Sequence, residues 1–368
     1  INKIGYKNGI SLGLAVMAVG ALVFIPAADG RTYSLFLVAI FIQGIGMTIC
    51  QTAANPYITI LGPIESGAKR MAMMGIANKV AGALGSLIFG ALLLSGIDEV
   101  NEKLGTVSDA EKNTLLNTMA DSVHTPYIVM AVVLFVFALL IRKAALPNVE
   151  PTVEDEGVDG ANNHKTIFQY PHLWLGVLAL FVYVGAEVIA GDTIIAYGIS
   201  LGIPAADAKF FTTYTLMAMV AMYAVGAILI PKYLKQKTAL IFSAILGIIF
   251  SILILLTSGF TSVLFVAALG IANALVWPAI WPLTLDGLGK HTKTASALLI
   301  MAISGGAIIP PLYGRLVDAG KHEMMANGIQ DVETLATAST SSYWILIPCY
   351  FMILFFALWG HKIKSWTK

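Results

Sequence analysis

Charge is scarce in this chain. Asp, Glu, Lys and Arg supply 12% of its 368 residues, against roughly 25% in soluble proteins, while 58% are hydrophobic. This balance excludes a water-soluble fold, and a mean hydropathy of +0.82 excludes disorder. A net charge of +1 leaves no basic surface for nucleic acid. Cysteine is nearly absent. Cys50 and Cys349 both lie in apolar runs, so no disulfide framework or cysteine metal site is available and both read as core residues. The six histidines, His124, His164, His172, His291, His322 and His361, fall in loops or at the ends of apolar runs, and no nucleotide-binding motif occurs. An enzyme needs a nucleophile, paired acids or histidine ligands gathered at one depth, so no enzymatic activity, cofactor or metal is expected.

Long apolar runs are what the chain does have. A hydrocarbon core about 30 Å thick requires roughly 20 mostly apolar residues per helix. Ten stretches approach that length: 11–29, 33–60, 71–97, 126–145, 173–199, 210–230, 238–257, 261–285, 294–317 and 342–361. A barrel would show short alternating strands instead, so the fold class is an all-α polytopic membrane protein.

Lys and Arg set the orientation. One set of alternate loops holds fifteen of them, from Lys3 and Lys7 through Lys69, Arg70, Arg142, Lys143, Lys165, Lys232, Lys235, Lys237, Lys290 and Lys293 to Lys362, Lys364 and Lys368. The opposite set holds five: Arg31, Lys103, Lys112, Lys209 and Lys321. The richer side is expected to be cytoplasmic, which places both ends of the chain there. The acidic run from Glu150 to Asp159 reads as a solvated linker, dividing the chain into a partial N-terminal half (1–145, four spans), a cytoplasmic linker (146–172) and a six-helix C-terminal half (173–368).

The chain also resembles itself. Asn55-Pro56-Tyr57-Ile58 ends the second span and is followed by Leu61-Gly62 and a helix carrying Gly82 and Gly85. Trp277-Pro278-Ala279-Ile280 ends the eighth and is followed by Leu288-Gly289 and Gly305-Gly306, an offset of about 222 positions. Two parallel six-helix halves predict such a repeat. The visible spans are then expected to be helices 3 to 12 of twelve, with two N-terminal helices missing from this sequence. The glycine pairs read as close-packing surfaces.

The run Gln51-Thr52-Ala53-Ala54-Asn55-Pro56-Tyr57-Ile58-Thr59-Ile60-Leu61-Gly62-Pro63 resembles the signature of the fucose/glucose/galactose branch of the major facilitator superfamily. The blocks Asn78 to Gly82, Tyr183 to Glu187, Asn273 to Ile280, and Ser296 to Met301 with Gly305-Gly306-Ala307 follow in order and extend the resemblance over the visible chain. It implies a sugar:cation symporter of the major facilitator fold. At Gln51 the chain departs from the fucose permeases, where a glutamate is tied to proton coupling. Glu187 sits where the glucose/galactose members carry an acid. The resemblance therefore favours glucose or galactose over fucose.

Polar groups at membrane depth cost about 2.5–3.5 kcal/mol each on insertion scales, so they face a cavity or one another. A pyranose asks for amides and carboxylates that match its hydroxyls, and for an aromatic surface against its C–H face. Gln51 and Asn55, at i and i+4, share a helix face; Asn78, Asn273, Trp277 and Tyr183 complete the candidate sugar contacts. Each also has a plain structural reading in interhelical hydrogen bonding or packing. Lys79 lies eight residues into an apolar span and needs Glu187, Asp192 or an acid elsewhere as partner, or else snorkels to the interface. Glu187 is the first candidate for coupling to a cation, with Asp192 and Lys79 beside it; Glu187 and Asp192 point about 140° apart on an unbroken helix.

The expectation is a bacterial plasma-membrane carrier, a monomer in the bilayer, that takes up a hexose with a proton. Sodium coupling, fucose or N-acetylhexosamine as substrate, and a non-transporting sugar sensor stand as alternatives.

Overall fold

The computed structural model describes residues 4–93, 109–145, 147, 166–329 and 331–366. The acidic run 150–159, Lys3, Lys103, His164, Lys165 and Lys368 lie outside them. Among the described residues all regular structure is helical, and nine helical stretches are long and apolar enough to cross a membrane. The remaining expected span, 71–97, is represented by a 27-residue helix, Gly67–Leu93.

Two compact units emerge. One comprises 1–57 and 80–150, the other 58–79 and 151–368. The segment 58–79, placed with the first half on sequence grounds, thus groups with the later part of the chain. In the first unit, α1 (Gly5–Asp29) packs along α4 (Asp109–Lys143), where Ser11 donates to the Ala138 carbonyl at 2.8 Å and Phe24 meets Tyr127 at 4.6 Å between ring centroids. Helix α2 (Tyr33–Ile60) runs through Pro56 and approaches α1 at Gly13 and Gly46, where any added Cβ would collide with the facing backbone. Helix α4 begins well before the expected span at 126, so His124 lies within a helix, not in a loop.

In the second unit, the first half of α3 (Gly67–Leu93) joins α5 (Pro171–Asp192), the short α6 (Ile194–Ser200) and α7 (Ala205–Ala208), α8 (Phe211–Leu229), α9 (Gln236–Leu256), α10 (Gly259–Ala274), α11 (Val276–Leu285), α12 (Thr292–Met301), α13 (Gly305–Ala326), α14 (Val332–Ser341) and α15 (Leu346–Leu358). Three expected spans are broken. The fifth bends at Thr193, the eighth at Leu275, and the ninth passes through a tight turn at Ala302–Ser304. Gly191 stays within α5, so Glu187 and Asp192 ride one continuous helix. Gly305 lies against the Phe181 carbonyl so closely that no Cβ fits, as its close-packing reading required. Gly82 and Gly85 depart from that reading, because a Cβ there would meet nothing among the described residues.

The end of the chain is tied to the start of α5. The His172 amide donates to the Ile363 carbonyl at 3.0 Å, Lys364 reaches Asp286 at 3.0 Å, and the Trp366 indole donates to the Phe168 carbonyl at 2.9 Å.

Candidate functional site

Helix α3 opens on small residues, and this decides where its lysine goes. Gly67 would place a Cβ 3.2 Å from Pro282, and the Ala68 amide donates to the Gln236 side chain at 2.8 Å. Ala68 and Ala72 are buried with Tyr223 and Leu275 in one apolar cluster. Two turns on, a Cβ at Gly75 would come within 2.7 Å of the Tyr223 ring. These positions repeat at about one helical turn, so a single face of α3 lies close against its neighbours and carries Lys79 at its far end.

Lys79 meets Glu187 there. Its Nζ lies 2.9 Å from Glu187 Oε1, and each side chain is 21% exposed. Snorkelling to the interface is thus not what Lys79 does. Losing one partner of such a pair leaves a lone charge at depth, whereas the intact pair offsets most of that cost. Asp192 is exposed and lies within electrostatic reach of both Lys79 and Glu187.

Aromatic residues begin one turn before Glu187. Tyr183, one turn before Glu187, is fully buried; its hydroxyl faces Glu187 and Tyr223 without completing a hydrogen bond of normal geometry. The Tyr183 ring lies 6.5 Å from Trp277, and Trp277 lies 5.7 Å from Trp281. Trp281 is closed off, but Trp277 is only half-buried and so keeps an aromatic surface available. The expected stripe of Asn273, Trp277 and Trp281 is interrupted by the break at Leu275. Asn273 is fully buried and accepts the Tyr350 hydroxyl at 2.8 Å.

Lys79, Glu187, Asp192, Tyr183, Trp277 and Asn273 therefore gather in one unit. Asn78, also on α3, is exposed. Gln51 and Asn55 lie on α2 within the other unit, Gln51 half-buried and Asn55 buried and already engaged.

The sequence reading missed Tyr223 and Tyr350, which line the Glu187 neighbourhood, and Gln43, whose amide nitrogen is buried without a partner among the described residues. Gln43 lies two turns before Gln51 on α2, an i, i+8 amide spacing that the sequence displayed. A different cluster, Asp29, Asp121 and His124, brings its potential metal-ligand atoms within 4.8 Å of one another. His124 already pairs with Asp29 at 2.6 Å, and the two acids are exposed.

Comparison with known proteins shows the family. The chain is 35% identical over 367 residues to the glucose/galactose transporter of Brucella abortus (strain 2308), an alignment covering 98% of this chain and 80% of the relative. It is 32% identical over 370 residues to the putative glucose/galactose transporter of Helicobacter pylori (strain ATCC 700392 / 26695), covering 98% and 83%. The L-fucose-proton symporter of Escherichia coli (strain K12) is 29% identical over 326 residues, covering 87% and 74%. The fold matches the crystal structure of the transporter FucP in the outward conformation with a TM-score of 0.81 and 27% identity, across 100% of this chain and 85% of that one. The family model for the Major Facilitator Superfamily matches residues 1–311, and the chain belongs to that family.

Proposed function

We propose that the protein takes up a hexose of the glucose/galactose type across a bacterial inner membrane by symport with a cation, as a monomer with both described ends on the cytoplasmic side. The single observation that carries the cation-coupled reading is the Lys79–Glu187 pair, an acid and a base held together within apolar helices. Structural ion pairs stabilise membrane helices without needing access to water; this one keeps one-fifth of each side chain exposed. A carrier needs that access so that a cation can bind and leave. The names of the relatives support the hexose, and the fucose-proton symporters among them support a proton over sodium.

Trp277 offers the aromatic face for the sugar's C–H side. Gln51, Asn55 and Asn78 are the amides proposed for its hydroxyls, with Tyr183 as a further proposed contact. Asn273, closed off by Tyr350, acts in this reading only when its helix moves.

Uptake of labelled sugar into vesicles holding the protein tests the function. Counterflow with glucose, galactose, fucose, mannose and N-acetylglucosamine identifies the substrate. Accumulation of glucose or galactose under an imposed proton gradient supports the proposal; binding without uptake identifies a sensor and sinks it.

A further inference from the structure

We infer that the groove between the start of α1 and the end of α4 binds one anionic phospholipid, with Arg142 and Asn8 on the headgroup phosphate and the apolar flanks of the two helices along its acyl chains. The site stands apart from the transport reading and needs only that the chain spans a bilayer.

Two contacts build the groove. Ser11 donates to the Ala138 carbonyl at 2.8 Å and Phe24 meets Tyr127, so α1 and α4 run antiparallel and the start of one faces the end of the other. There the two helices enclose about 490 Å³, lined by Ile4, Asn8, Ser11, Leu12, Ala15 and Arg142. Small-ligand sites are of this size. Arg142 is exposed and makes no hydrogen bond or ion pair among the described residues. Its guanidinium brings five donors, and Asn8 adds one more, since only one of its amide hydrogens is spent, on the Ile4 carbonyl at 2.9 Å.

Charge complementarity selects the headgroup. Helix α1 holds no acid before Asp29, α4 none after Asp121, and α2 none at all. Antiparallel packing puts Asp29 and Asp121 at the other end of the pair, where Asp29 meets His124. The groove end carries Lys7, Arg142 and Lys143 instead. Donors with no carboxylate to answer them call for an anion, and a planar guanidinium fork matches two oxygens of a phosphate. Basic pockets between membrane helices on the cytoplasmic side take acidic lipid headgroups in this way, and this end is the one proposed above as cytoplasmic.

The flanks select a lipid over a soluble anion. Asn8, Leu12, Ala15, Val19 and Leu22 follow one another at alternating spacings of four and three, which keeps them on one face of α1. Arg142, Leu139, Phe135 and Val132 do the same on α4. Leu12, Val19, Leu22, Leu139, Phe135 and Val132 are all exposed. Each helix thus presents a polar group at the groove and an apolar track leading away from it toward mid-membrane. Such a track fits an acyl chain and gives a hydrated free phosphate no purchase.

Native mass spectrometry of the purified protein with added phosphatidylglycerol, phosphatidylethanolamine or inorganic phosphate reads the site. The wild type should retain one phosphatidylglycerol in preference to phosphatidylethanolamine, and inorganic phosphate at the same concentration should not displace it. Arg142→Gln should weaken phosphatidylglycerol binding about fivefold or more. Asn8→Asp, which sets a carboxylate beside the headgroup, should weaken it as well, and both variants should lose the rise in unfolding temperature that phosphatidylglycerol gives the wild type. Unchanged binding in Arg142→Gln overturns the site, and so does equal retention of the two lipids by the wild type. Displacement by inorganic phosphate overturns the lipid in favour of a soluble anion. If Arg142→Gln does not fold in detergent, Asn8→Asp decides: weakened binding supports the site and unchanged binding overturns it. None of these readings involves sugar, so a failure here leaves the transport proposal standing, and a failure of that proposal leaves the lipid site standing.

Discussion

Tyr350 donates its hydroxyl to Asn273 Oδ1 at 2.8 Å and leaves the amide nitrogen of Asn273 buried with no partner among the described residues. One half of a fully buried amide is satisfied and the other is stranded. Tyr350→Phe should therefore strand the oxygen too, lowering stability by about 1–3 kcal/mol. Thermal unfolding in detergent measures it, and Tyr350→Phe with Asn273→Leu should recover much of the loss because both buried polar partners are then gone.

Gly75 and Tyr223 make a steric prediction. A leucine at 75 needs space that the Tyr223 ring fills, and overpacking of this kind costs about 1–3 kcal/mol. Gly75→Leu should lower the unfolding temperature, and adding Tyr223→Ala should restore part of it. Unchanged unfolding in Gly75→Leu alone would show that α3 does not rest against Tyr223.

Arg70 gathers the carbonyls of Ile58, Thr59, Gly62 and Pro63 and the hydroxyl of Ser66. Only a planar fork of five N–H groups serves so many acceptors, which a lysine cannot replace. Arg70→Lys should leave the loop at 61–66 more open to protease than in the wild type, as read by the rate of cleavage in intact inside-out vesicles.

Gln51 tests the sugar site from α2. Losing one matched hydroxyl contact costs about 0.5–1.5 kcal/mol, so Gln51→Ala should weaken hexose binding about 3- to 10-fold. Trp277→Ala should do the same or more by removing the aromatic face. Equilibrium binding of labelled glucose or galactose checks both, and unchanged affinity in the two together removes them from the site.

Much of this was legible in the sequence because a membrane enforces it. Twenty apolar residues in a row have few ways to satisfy their backbone, so the helices and the family followed from runs and ordered motifs. Lys79 announced its need for a partner in the same way, since an isolated ammonium is costly at depth. Its choice of Glu187 was not legible: it depends on how closely α3 approaches, which Gly67 and Gly75 decide through contacts with Pro282 and Tyr223 far along the chain. The bond from Tyr350 to Asn273 spans 77 positions and leaves no trace in either local pattern. Where α5 ends was not legible for a related reason. Gly191 is a permissive residue, but Thr212 and Thr215 brace the carbonyls around it, and the bend falls at Thr193 instead.

The tail after α15 gives the second unit a mechanical property. Ile363, Lys364 and Trp366 grip the start of α5 and the end of α11, so residues nearly two hundred positions apart in sequence are clasped at one point. A pull on the end of the chain is then shared with the start of α5 before α15 can peel away. The second unit is loaded as a closed ring, which must be unclasped before it can be unravelled.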